Sequence, residues 1–138
     1  MGNSQSIRKI SFEDMQKGCN NKEYCIITTL TDNFQNCLIK NTIEINNEVN
    51  VINNLLNKTK DVPVIIYGKN SNDEKIYKKY EQLMSLGFYN VYVYVGGLFE
   101  WLLLQDIYGH ELFPTTKKEL DILKYKPDKI FELQYITN

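Results

Sequence analysis

The side chains able to do chemistry in this 138-residue chain are few and widely spaced. There are three cysteines, Cys19, Cys25 and Cys37, one histidine, His110, and one arginine, Arg8. A thiol nucleophile needs a neighbouring cation or base to ionise it. Cys25 lies within an apolar run and reads as a small core residue. Cys19 falls near the end of a short helix and is expected to be exposed. Cys37, in a loop three residues before Lys40, is the better candidate for a reactive thiol. Ser71 has no histidine near it in sequence, and His110 is expected on the surface. An odd number of cysteines without CxxC spacing reads as reduced thiols in a cytoplasmic protein. With a single histidine, no metal site is expected, and no motif calls for a cofactor.

Composition narrows the partners. Sixteen Lys and Arg balance seventeen Asp and Glu, for a formal charge of −1, so nothing argues for nucleic acid. No alanine occurs, and Asn, Ile, Lys and Tyr are abundant, which reads as AT-rich codon usage. The asparagines are interleaved with apolar residues, so a packed core remains available. No apolar run reaches the roughly 18–20 residues that span a bilayer.

The elements that must position these residues alternate. Ser11 with Asp14 resembles a capping box, predicting a helix from Phe12 to about Lys17 that Gly18 ends. Tyr24–Thr28, Pro63–Tyr67 and Val91–Val95 are strands by their β-branched and aromatic content, and Cys37–Ile39 is a short extended piece. Val49, Ile52, Leu55 and Leu56 share a helical face, as do Ile76, Tyr80, Leu83 and Met84 up to Gly87. Gly96-Gly97 turns the chain into an amphipathic helix, Leu98 to Tyr108, closed by Gly109. Thr116-Lys117-Lys118-Glu119 is a second capping-box pattern and predicts a short helix. Strands separated by helices imply an α/β fold: one mostly parallel central sheet flanked by helices on both faces.

The run Gly87-Phe88, strand Val91–Val95, Gly96-Gly97 and Trp101 resembles the closing signature of rhodanese-like domains. The run GGLFEWLLLQDIYG (96–109) followed by FPTT (113–116) looks like the mark of a divergent subgroup of that family. The resemblance covers roughly residues 7–115, leaving 1–6 as an N-terminal leader and 116–138 as a C-terminal extension packed on the domain. It implies that Val64–Tyr67 leads into the active-site loop. In active members that strand ends in a cysteine, whose thiolate is held by loop N–H groups and a helix dipole and carries a persulfide or phosphoryl group. Here the loop reads Gly68, Lys69, Asn70, Ser71, Asn72, Asp73. Glycine stands in the nucleophile's place, and the loop has no arginine. Asp73 and Glu74 bring negative charge to the helix start, which supports the helix and repels an anionic substrate.

Three functions follow as expectations. The first is a catalytically inactive module that binds a protein, or a small anion held by loop N–H groups and Lys69. The second is a sulfurtransferase or phosphatase-like enzyme using the displaced Cys37. The third is a structural scaffold or virion-associated domain, with Tyr89, Tyr92 or Tyr94 contacting partners. At the N-terminus, Met1-Gly2-Asn3-Ser4-Gln5-Ser6 fits N-myristoylation of Gly2. With Arg8 and Lys9 nearby, this predicts reversible association with the cytoplasmic face of a membrane.

Overall fold

Three apolar runs form the strands that the sequence predicts, and a fourth, two-residue strand joins them from the N-terminal side. The computed structural model describes residues 6–131, so Gly2 and the rest of the leader through residue 5 lie outside the described residues. In chain order the elements are β1 (Lys9–Ile10), α1 (Phe12–Cys19), β2 (Cys25–Thr28), α2 (Glu48–Lys58), β3 (Val64–Tyr67), α3 (Lys75–Ser85), β4 (Val91–Tyr94) and α4 (Gly97–Tyr108). The sheet order is β1-β4-β3-β2 and every neighbouring pair is parallel.

Successive side chains of a strand point to opposite faces, and this alternation builds two cores. Ile26, Ile65, Tyr67 and Tyr94 pack with Met15 and Cys19 of α1 and with Leu98, Trp101 and Leu102 of α4. Ile27, Val64, Ile66, Val91 and Val93 pack on the other face with Ile52 of α2 and with Ile76, Tyr80 and Leu83 of α3. The α/β expectation with helices on both faces therefore holds. Central β3 is buried along its whole length, as its unbroken apolarity requires.

Several details differ from the sequence reading. Helix α1 runs through Gly18 to Cys19. A side chain at Gly18 would collide with Ile65 Cδ1, so this glycine serves the approach of helix to sheet and does not stop the helix. Cys19 is consequently buried, not exposed. The segment 116–119 forms no helix. Thr116 instead exchanges bonds with Leu38, its N–H donating to the Leu38 carbonyl (2.8 Å) and its Oγ1 accepting from the Leu38 N–H (3.1 Å). Its hydroxyl is thus committed to the Cys37–Ile39 segment, and among the described residues only a 3₁₀ turn at Ile122–Tyr125 follows. Helix α4 is not amphipathic: Leu98, Trp101 and Leu102 are buried, while Leu103, Ile107 and Tyr108 stay exposed on its outer side. Gly87 closes the segment after α3 with φ at 107°, the left-handed conformation expected of a C′ glycine.

Candidate functional site

In an open parallel sheet, loops at the carboxyl ends of the strands converge on one edge, and ligands bind there. Here that edge carries Thr29–Thr31 after β2, the loop 68–74 after β3, and Gly96-Gly97 after β4. Tyr67, the last residue of β3, is fully buried. Its hydroxyl oxygen accepts from the Ile39 N–H (3.1 Å) and lies 2.8 Å from Thr42 Oγ1. Burial pushes its phenol well above the usual range.

The loop is then gripped by the start of α4. Leu98 N–H donates to the Gly68 carbonyl and Phe99 N–H to the Lys69 carbonyl, each at 2.9 Å. Contact this close needs Gly97, whose φ is 70° and whose Cβ, if it had one, would lie 2.8 Å from the Gly68 oxygen. Asn70, only 6% exposed, donates from Nδ2 to the Tyr125 carbonyl (2.8 Å) and accepts the Asn72 N–H on Oδ1 (2.9 Å). The C-terminal segment is thereby tied to the loop. Ser71 and Asn72 are exposed at the loop's tip.

Asp73 turns inward. Its Oδ2 accepts from the Lys69 N–H and the Thr29 hydroxyl, both at 3.0 Å, and its Oδ1 accepts from the Lys75 N–H at 3.0 Å. A Cβ on Gly68 would fall 2.8 Å from the Asp73 carboxyl carbon, 2.9 Å from Thr29 Oγ1, and closer still to Asp73 Oδ2. The carboxylate thus fills the space into which any side chain at position 68 would project. Sequence reasoning treats Asp73 only as a charge at a helix start. The expected small-anion cradle differs in the same way: the Lys69 N–H of the loop and the Lys75 N–H at the start of α3 already bind this internal carboxylate, and Lys69 Nζ sits 4.8 Å above the Phe34 ring.

The thiols are all buried. Cys37 donates to the Lys117 carbonyl (Sγ···O 3.3 Å), and burial raises its pKa. Burial likewise lifts Cys19 to about 11 and Cys25 to about 12, above their ordinary 9.0. Neutral, enclosed thiols are poor nucleophiles. His110 is exposed, and its Nε2 faces the Thr115 backbone, 3.3 Å from N and 3.2 Å from O. It is not brought to the loop 68–74. Of the three strand-region tyrosines, Tyr89 is exposed, Tyr92 half-buried and Tyr94 1% exposed, so Tyr94 offers no contact surface. Among the described residues no group of His, Cys, Asp and Glu could hold a metal ion. No helix among them is long and apolar enough to cross a membrane.

Beside the loop lies an open cleft of about 550 Å³, walled by Thr29, Phe34, Lys69 and Asp73 on one side and Pro127 and Ile130 on the other. The family model described as Rhodanese-like domain matches residues 11–104. The chain belongs to the rhodanese-like domain family. Solved structures of similar shape include the Alr3790 protein from Anabaena sp. (TM-score 0.56, 19% identity, covering 83% of this chain and 84% of that one). The single-domain sulfurtransferase RDL2 of Saccharomyces cerevisiae is also similar (0.52, 13%, 74% and 94%). So is a protein from Lactobacillus plantarum (0.52, 18%, 70% and 83%). No curated protein matches the chain by sequence. These likenesses establish the rhodanese-like fold. The cleft wall formed by the C-terminal segment has no signal in the sequence, because it depends on where residues 122–130 come to rest.

Proposed function

We propose that this rhodanese-like domain is a catalytically inactive module that works by binding a protein partner. The observation that carries the reading is the Asp73 carboxylate, which occupies the space in front of Gly68 and takes up the Lys69 N–H of the loop. By family resemblance this is the place of the nucleophilic sulfur. Glycine offers no nucleophile there, a second anion would meet like charge, and the loop has no arginine. For the same reason a protein partner is a better fit than a small anion. The yeast relative is a sulfurtransferase by name, but here the thiols that could replace the missing one are buried and protonated at neutral pH.

The direct test is a thiosulfate:cyanide sulfurtransferase assay of the full chain. Turnover no greater than that of a Cys37→Ser variant is expected; robust turnover lost in that variant would overturn the proposal. N-myristoylation of Gly2 is a separate part of it, supported by the Met1–Ser6 pattern and the nearby Arg8 and Lys9. Mass spectrometry of the N-terminal peptide from host-expressed protein should find the acyl chain, and an unmodified peptide rules the tether out. Comparing interactors of wild type and Gly2→Ala then shows whether partner capture depends on it.

A further inference from the structure

The cleft beside the loop continues. A second one, of about 380 Å³, shares Thr29, Leu30, Thr31 and Lys75 with it and runs between α2 and α3 to Ile45 and Val49. Together they form one groove across the carboxyl ends of β2 and β3, where open α/β sheets receive ligands. Its apolar points are exposed at both ends: Ile130 is 78% exposed and Val49 69%. Between them stand the lysines of α3.

Those lysines are in an unfavourable place. Lys75 and Lys78 lie at the N-terminal end of α3, where the helix dipole is positive and where acids, not bases, stabilise a helix. Of the lysines along this stretch, Lys79 is neutralised by Glu48 at 2.5 Å, and Lys75 and Lys78 form no ion pair among the described residues. Five lysines line the groove, Lys69, Lys75, Lys78, Lys79 and Lys129, against four acids. Asp73 is turned inward and hydrogen-bonded, and Glu48 is taken by Lys79, which leaves Glu74 and Asp128. Asp73 and Glu74 support the helix start itself, and over the whole groove five lysines against four acids leave an excess of one positive charge.

We infer that this groove is the partner-binding surface and that it receives an acidic peptide segment carrying apolar side chains. Carboxylates of the segment pair with Lys75 and Lys78, and its apolar residues cover Val49 at one end and Ile130 at the other. A nucleic-acid strand fits less well, because the groove's ends are apolar and a phosphate backbone would leave them uncovered. This inference rests on the module reading above and adds the chemistry of the partner.

The test uses the full chain and two fluorescein-labelled peptides, one alternating Glu with Leu and one alternating Lys with Leu, followed by fluorescence anisotropy. The acidic peptide should bind and the basic one should not. Lys75→Glu combined with Lys78→Glu should weaken binding by about tenfold or more, and Val49→Asp should weaken it by a smaller factor. A control, Lys17→Glu with Lys22→Glu, makes the same change in net charge on exposed positions of α1 and the turn after it, and should stay within about twofold of wild type. Equal loss in both double variants, or equally tight binding of a single-stranded oligonucleotide, would reduce the effect to general charge attraction and overturn the inference. All five substituted positions are exposed, so the variants are expected to fold. Absence of peptide binding together with absence of sulfurtransferase turnover would reject the groove alone. Turnover would reject the module reading itself.

Discussion

Gly68 and Gly97 meet across the same junction, and each leaves no room for a side chain, yet for different reasons. At Gly97 the obstruction is backbone: a Cβ would lie 2.8 Å from the Gly68 oxygen and 2.9 Å from the Asn70 nitrogen, and φ is 70°. At Gly68 the obstruction is mainly a side chain, the Asp73 carboxylate. The first glycine is demanded by how β4 turns into α4 against the loop. The second is demanded by side chains, chiefly Asp73 of the same loop and also Thr29 after β2. The framework therefore keeps its glycine for the sake of the fold, whereas the loop after β3 is rebuilt around an internal carboxylate.

The contrast can be tested by substitution, and the largest effect is expected at Gly97. Gly97→Ala should destabilise the domain by about 3 kcal/mol, measured by urea unfolding, because it combines a strained φ with contact against backbone that cannot move aside. No side-chain deletion should rescue it. Gly68→Ala should cost less, about 1–2 kcal/mol, as it displaces a carboxylate from its hydrogen bonds. In an Asp73→Gly background that further cost should largely vanish, and a double-mutant cycle should return a coupling energy of about 1 kcal/mol or more. Additive effects would mean that the two residues do not share the space. Asp73→Asn keeps the shape and removes the charge that strengthens three hydrogen bonds, so it should cost about 1 kcal/mol.

The smallest effect is in pH dependence. The folded state holds Cys19 and Cys25 protonated beyond the point at which they ionise in the unfolded chain, from an ordinary 9.0 up to about 11 and about 12. Groups with raised pKa contribute their full stability below the unfolded value and lose it as pH rises towards the folded one. Unfolding midpoints should thus be insensitive to these thiols below pH 9 and fall between pH 9 and 12, and a Cys25→Ser variant should show a shallower fall. Alkylation of all three cysteines at neutral pH should be slow in the native protein and fast in denaturant; rapid native alkylation at Cys37 would return attention to it as a nucleophile.

Much of the architecture is written locally. The β-branched runs of β2, β3 and β4, the helical spacing of Ile76, Tyr80 and Leu83, and the Gly96-Gly97 turn before Trp101 each depend on neighbours in sequence, and together they determined an α/β domain with rhodanese-like order. The same local rules misread Gly18 and Thr116. Gly18 is explained by Ile65, and Thr116 by Leu38, partners far along the chain that only packing brings close. The two-residue β1 has too few residues for any periodicity and exists because β4 offers it an edge. At the loop, the sequence by itself determined that residue 68 has no nucleophile and that no arginine is near. Only the tertiary structure decided what fills the space in front of Gly68. The turn of the loop swings Asp73 under Gly68, Thr29 arrives from β2 and the Lys69 N–H from the loop itself, and a carboxylate that looked like a helix-start charge becomes the loop's own ligand.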